Sequence, residues 1–244
     1  MYNITMWIYI VIGAGVLFFL ILCLCLAVAN FSFDNFRDKQ EEARKFGVQG
    51  LTIYDFVENV NEQHLGNALK VARCAEFQDH FSVGVIALSD KTLSSNSLAS
   101  FSIVAHELGH ALQYRDGKLS KHWKNKHKKR ILGRFFLPLM LVGLVFAILN
   151  LFGTLNEIFL YVGLGLLGLA LLIFLIAIYS KYLEIRVEKE ASRNGIKLLA
   201  DYFPQKELKI CEEFLNSARL TYWGDLFRTM LGWTMLTRKS KMFD

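Results

Sequence analysis

The sequence predicts a mainly α membrane protein with three transmembrane helices and a small α+β domain on the cytoplasmic side. Three observations predict it. Apolar residues make up 53% of a 244-residue chain with positive mean hydropathy, too high for an ordinary soluble domain. Three long runs are almost free of charge, and a lysine-rich segment abuts one of them.

No charged side chain precedes Asp34, and residues 4–30 are almost wholly apolar, longer than the ~20 residues that cross a bilayer. Ala27-Val28-Ala29 resembles a cleavage site, but no basic segment precedes the run and its length exceeds that of a signal peptide. A retained span is expected. Residues 135–156 and 158–180 are uncharged on either side of Glu157, which predicts a spanning hairpin with its turn near Gly153-Thr154 and Pro138 tolerated near the start. Buried core helices are the other reading of this pair, disfavoured by two such long runs joined so closely.

Lys118, Lys121, Lys124, Lys126, Lys128, Lys129, Arg130 and Arg134 crowd the entry to the second span, while residues 1–5 and the hairpin turn carry no cation. Cations stay on the cytoplasmic side. The N-terminus is therefore expected outside, and residues 31–132 and 181–244 in the cytoplasm of a multi-pass protein of the plasma membrane. The same cluster accounts for most of the net charge of +6, so contact with the lipid bilayer explains it and no nucleic-acid partner is inferred. Cys23, Cys25, Cys74 and Cys211 form no CxxC pair, which argues against a disulfide framework or a thiolate metal site. Nothing in the sequence sets an oligomeric state.

Within the cytoplasmic parts, residues 34–45 are densely charged and read as a solvated helix ended by Gly47 and Gly50. Thr52 and Asp55 form a capping-box pattern before Ile53, Phe56, Val57 and Val60 at helical spacing. Residues 69–74 and 83–88 are β-prone, with Asp79-His80 at a bend between them. Residues 98–114 read as a helix capped by Ser95, Asn96 or Ser97 and stopped at Arg115-Asp116-Gly117. Residues 182–200 and 207–220 read as further helices, and the apolar stretch 226–236 is too short to cross.

The helix over 98–114 carries His106-Glu107-Leu108-Gly109-His110. Two histidines four apart leave one helical face about a turn apart, so both imidazoles can reach a single Zn²⁺. Glu107 beside them can take a proton from water activated by such an ion. With 6 His and 13 Glu in the chain, chance predicts roughly 0.01 occurrences of HExxH. A pair of solvated or core histidines is the bland reading. Imidazole and carboxylate donors at this spacing make zinc the first choice of metal. A third donor is needed, and Glu184, Glu188 and Glu190 all lie just after the third span; spacing alone does not choose among them.

Asp79-His80-Phe81, Ile86-Ala87-Leu88-Ser89, Asn96-Ser97-Leu98-Ala99, Ala105 to Gln113 around the histidines, Glu188-Lys189-Glu190-Ala191-Ser192-Arg193 and Ala218-Arg219-Leu220-Thr221-Tyr222 resemble the bacterial membrane-bound neutral zinc metallopeptidases, the YugP-like proteins. The likeness covers most of the chain. It implies a zincin-like metallopeptidase domain, a protein or peptide substrate, zinc as cofactor, and His106, His110 and Glu188 as its ligands, with Glu107 as general base. The glutamate assignment comes from the family's typical Glu-Phe-Asp-Ala-Ser-Arg segment, and is similar to that of the HtpX and CAAX prenyl protease group. Lys189, Glu190 and Asn194-Gly195 depart from that pattern, leaving the roles of Glu190, Ser192 and Arg193 open; Arg193 is a candidate oxyanion donor. By analogy with other metallopeptidases, the strand over 83–88 is a candidate sheet edge for an extended substrate, an ordinary core strand being the alternative.

The expected activity is therefore that of a membrane-anchored zinc endopeptidase acting on membrane or misfolded proteins at the cytoplasmic surface. Two rivals stand beside it: a site-2-type intramembrane protease, for which the motif helix is short and polar and Asp116 too close, and a non-catalytic membrane scaffold or lipid-binding protein.

Overall fold

The computed structural model describes residues 2–75, 78–119, 135–151 and 156–230. In chain order the elements are α1 (Tyr2–Arg44), α2 (Ile53–Leu65), β1 (Lys70–Cys74), β2 (His80–Ser82), β3 (Val85–Ser89), α3 (Asp90–Ser94), α4 (Leu98–Arg115), α5 (Phe136–Leu151), α6 (Glu157–Leu199) and α7 (Gln205–Met230). They fall into two compact units. One takes in the described residues within Met1–Phe31, Lys126–Tyr182 and Trp223–Met242; the other takes in those within Ser32–Asn125 and Leu183–Tyr222.

In the first unit, α5 and the early part of α6 pack as antiparallel neighbours. Phe136 stacks on Phe174 and Phe146 meets Phe159 edge-on, with ring centroids 5.3 and 5.6 Å apart. The backbones approach closely at Gly143 and Gly163, where a Cβ on either would stand 2.9 Å from the other's carbonyl oxygen. Small residues at such a crossing are what apolar helix pairs use in place of hydrophobic expulsion. Leu141 and Val145 on α5 and Leu164, Leu171 and Leu175 on α6 are exposed. Among the described residues one helix, α6, is long and apolar enough to cross a membrane by length and composition; the apolar helix at Phe136–Asn150 is shorter.

Two helices run on where the sequence suggested breaks. The expected helix over 182–200 is the same helix as 158–180, because Ser180-Lys181-Tyr182-Leu183-Glu184 offers neither Gly nor Pro to stop it. Likewise α1 continues through Asp34 to Arg44 before Gly47. Its charged end is not simply solvated: Ala43 is buried, Phe36 stacks on Phe214 at 5.6 Å, and Lys39 bridges Glu42 and Glu213 at 2.9 and 2.6 Å. Helix α7 also outruns its expected end, reaching Met230.

The second unit is built around α4, whose apolar residues pack against α2, the sheet and the later helices. Phe56, Phe101 and Phe203 form a chain of edge-on ring contacts within a core that includes Leu88, Leu98, Leu108, Leu199 and Phe214. The capping box at Thr52 and Asp55 is formed on both sides, with bonds of 3.1 and 3.2 Å. Ser97 caps α4, and Leu98 N–H donates to the Phe46 carbonyl at 3.0 Å.

The sheet has the order β1-β3-β2, with β1 parallel and β2 antiparallel to β3. This corrects the edge reading of residues 83–88. Val85–Ser89 form the central strand β3, buried from Ile86 to Ser89, and the edges are β1 and β2, the second of which the sequence suggested was only a bend. Asp79 is what organises that bend: its carboxylate accepts from Ser89 N–H at 2.6 Å and from Thr92 Oγ1 at 2.9 Å, tying the loop to the start of α3. The expected turn at 153–154, the cationic residues 121–134 and the stretch 231–236 lie outside the described residues.

Candidate metal centre

Helix α4 presents His106, His110 and Gln113 on one face, spaced i, i+4 and i+7. Helix α6 presents Glu188, Ala191, Ser192 and Gly195 at matching spacing. Where these faces meet, the Glu188 Oε2 atom lies 3.1 Å from His106 Nε2 and 3.2 Å from His110 Nε2. One donor atom from each of the three residues falls within 4.8 Å of the others. Four donors around a zinc ion at ~2.0–2.1 Å stand roughly 3.3 Å apart along each tetrahedral edge. The two histidine–glutamate separations match such edges.

The far side of each imidazole is also held. His106 Nδ1 meets Ser192 Oγ at 3.1 Å, and His110 Nδ1 meets Gln113 Oε1 at 2.9 Å. Gln113 is almost fully buried, and its Nε2 donates to the Val187 carbonyl at 2.9 Å. That bond leaves Oε1 as an acceptor, so the proton of neutral His110 sits on Nδ1 and its Nε2 lone pair points at the Glu188 carboxylate. Acceptor then faces acceptor at 3.2 Å. A cation or an added proton between them resolves the conflict, and this is the arrangement by which metal-binding histidines are oriented. The donor set fits zinc.

Burial would raise the Glu188 carboxyl, but hydrogen bonds from the two histidines in their protonated form, and their charge, hold it well below the usual carboxylate range. Burial lowers the His110 imidazole, yet its hydrogen bond to Glu188 and the charges of Glu188 and Glu107 win and raise it. Glu107 is pushed up, chiefly by burial, against the opposing charges of His106 and His110. Its Oε2 accepts the Phe81 N–H of edge strand β2 at 2.7 Å, which fixes the carboxylate beside the three donors. Tyr222 on α7 completes the surroundings. Burial first, then the charge of Glu188 and a hydrogen bond to it, push its hydroxyl well above the ordinary tyrosine value, so it stays protonated.

The structure thus brings His106, His110 and Glu188 together with Glu107 alongside. Glu184 is one helical turn earlier and is not among the three donors. Glu190 turns to Lys118 in an ion pair of 2.6 Å. Arg193 is exposed and adjoins Ser192 off the face that meets α4. Sequence reasoning left Ser192 open and gave no role to Gln113, Tyr222 or the Phe81 amide. Gln113 follows His110 by three residues and Ser192 follows Glu188 by four, a same-face signal; Tyr222 and a main-chain N–H offer no such signal.

No curated protein and no solved structure matches this chain. A family model described as "Putative neutral zinc metallopeptidase" matches residues 8–237, which takes in both helices of the site and nearly all of the sequence, and the chain belongs to that family of neutral zinc metallopeptidases.

Proposed function

We propose that this protein is a membrane-anchored zinc endopeptidase whose site is formed by His106, His110 and Glu188 as ligands and Glu107 as general base. The observation that carries the reading is the convergence of three donor atoms within 4.8 Å on two helices, with both imidazoles oriented from behind by Ser192 and Gln113. Bound there, zinc supplies Lewis-acid activation of water and of the scissile carbonyl. Glu107 Oε takes a proton from the attacking water and returns it to the leaving amine. Its raised pKa brings it nearer to neutrality, which suits both transfers. Tyr222, protonated and beside Glu188, can donate to charge that develops on the carbonyl oxygen.

The proposal keeps three spans at residues 4–30, 135–156 and 158–180, the N-terminus outside, and the catalytic segments 31–132 and 181–244 in the cytoplasm. Exposed leucines along α5 and α6 support a lipid-facing hairpin. Glu188 follows the last residue of the third span by eight positions in the sequence, which supports a site near the cytoplasmic membrane surface. Substrates are accordingly membrane or misfolded proteins with segments near the cytoplasmic surface. The intramembrane alternative is disfavoured, because α4 sits in a core with a β-sheet and Asp116 pairs with Arg115 at 2.8 Å.

Glu107→Gln separates enzyme from scaffold. The variant is expected to retain zinc and to lose hydrolysis of an unfolded protein substrate by roughly 10²–10⁴-fold. Hydrolysis at the wild-type rate would sink the enzymatic reading.

A further inference from the structure

Helices α4 and α6 meet through a reciprocal pair of small residues, and this contact carries an inference beyond the ligands themselves. On α4 the pair is Ala105 and Gly109; on α6 it is Ala191 and Gly195, both at four-residue spacing. Each glycine faces the other helix's alanine carbonyl. A Cβ placed on Gly109 would fall on the Ala191 carbonyl group, 2.9 Å from its carbon, and one on Gly195 would stand 2.7 Å from the Ala105 oxygen and 3.0 Å from the His106 nitrogen. All of these atoms are backbone, so no rotamer change relieves either clash. Neither glycine needs unusual backbone freedom, since both lie within helices and neither has a positive φ. Their role is absence of a side chain.

These four residues alternate with the metal-binding ones. Gly109 adjoins His110, Ala105 adjoins His106, and Ala191 and Gly195 flank Ser192 on the face that carries Glu188. The helix separation they permit is the one at which Glu188 reaches both imidazoles at 3.1 and 3.2 Å, Ser192 reaches His106 and Gln113 reaches the Val187 carbonyl. A shift of a few tenths of an ångström would lengthen all of these contacts together.

We infer that Gly109 and Gly195 are positioning residues for the metal centre, setting the interhelical distance at which Glu188 joins the two histidines. This rests on the zinc reading above. The test is cobalt(II) titration of the full-length chain in detergent, following the visible absorption of a tetrahedral site, with helical content of the metal-free protein followed in parallel. Gly109→Ala and the milder Gly195→Ala are expected to keep the helical signal and to bind cobalt about 10–100-fold more weakly, the range seen when outer support of ligands is lost, with altered bands. Gly47→Ala, where a Cβ meets nothing within 4 Å, is expected to match the wild type. Wild-type affinity and spectrum in both helix variants would overturn the inference, as would loss of helical signal in step with metal, which would make the glycines requirements of the fold. Failure of the wild-type protein to bind cobalt at all would instead remove the zinc reading, so the two failures are distinguishable.

Discussion

His110 shows how a single side chain couples the site to solution conditions. In the proposed site its neutral form would be the ligand, with Gln113 presetting the tautomer that leaves Nε2 free. In the metal-free protein burial lowers its pKa, but the hydrogen bond to Glu188 and the charges of Glu188 and Glu107 together raise it above the ordinary imidazole value. A proton therefore competes with the metal below that raised value, and zinc affinity is expected to fall about tenfold per pH unit as pH drops through it. Glu188 stays ionised throughout this window, being held well below 4.5. Competition with a chromophoric chelator between pH 8 and pH 6 measures the trend, and a flat affinity would contradict it. That His106, Glu107 and His110 lie together was legible because HExxH is a local pattern on one helix. Choosing Glu188 as the glutamate that meets them needed the family likeness, since three glutamates shared one predicted helix. Gln113 and Tyr222 became meaningful only once packing fixed what their polar atoms face. On that basis Tyr222→Phe is expected to lower kcat while leaving zinc content unchanged, as quantified by single-turnover hydrolysis and metal analysis; loss of the metal would contradict the assignment.

Among the elements, α4 is both the centre of the core and the carrier of the motif. Phe101 lies a turn and a half before His106 and is fully buried between Phe56 and Phe203. Phe101→Ala is expected to destabilise the domain by ~3–5 kcal/mol and to release metal only as the domain unfolds, which chemical denaturation with and without zinc can measure. Helix ends with a strong local signal, Thr52 with Asp55 and the Arg115-Asp116-Gly117 stop, were readable. The continuity of α1 and α6 was not, because a change of composition from apolar to charged looks like a boundary although the backbone needs none. Strand β2 was missed for a different reason. Three residues carry too little alternation, and its pairing to β3 is set by Asp79 through contacts ten and thirteen residues away.

For the whole molecule, the proposal ties a soluble type of chemistry to a lipid-facing hairpin. The sequence supplied the apolar runs and the lysine asymmetry, and the structure adds close glycine packing between α5 and α6. If the N-terminus is outside and the site cytoplasmic, single cysteines introduced at Asn3 and at Lys118 in a chain whose native cysteines are replaced should differ: an impermeant thiol reagent labels the first in intact cells and the second only after permeabilisation. Labelling of both in intact cells, or of neither until permeabilisation, would refute that topology. The central claim is that two histidines of one helix and one glutamate of another share a metal. Zinc stoichiometry of the purified Glu188→Ala and Glu184→Ala variants tests it most directly. The account predicts loss of bound zinc in the first and about one zinc per chain in the second; full zinc in Glu188→Ala, or its loss only in Glu184→Ala, would contradict it.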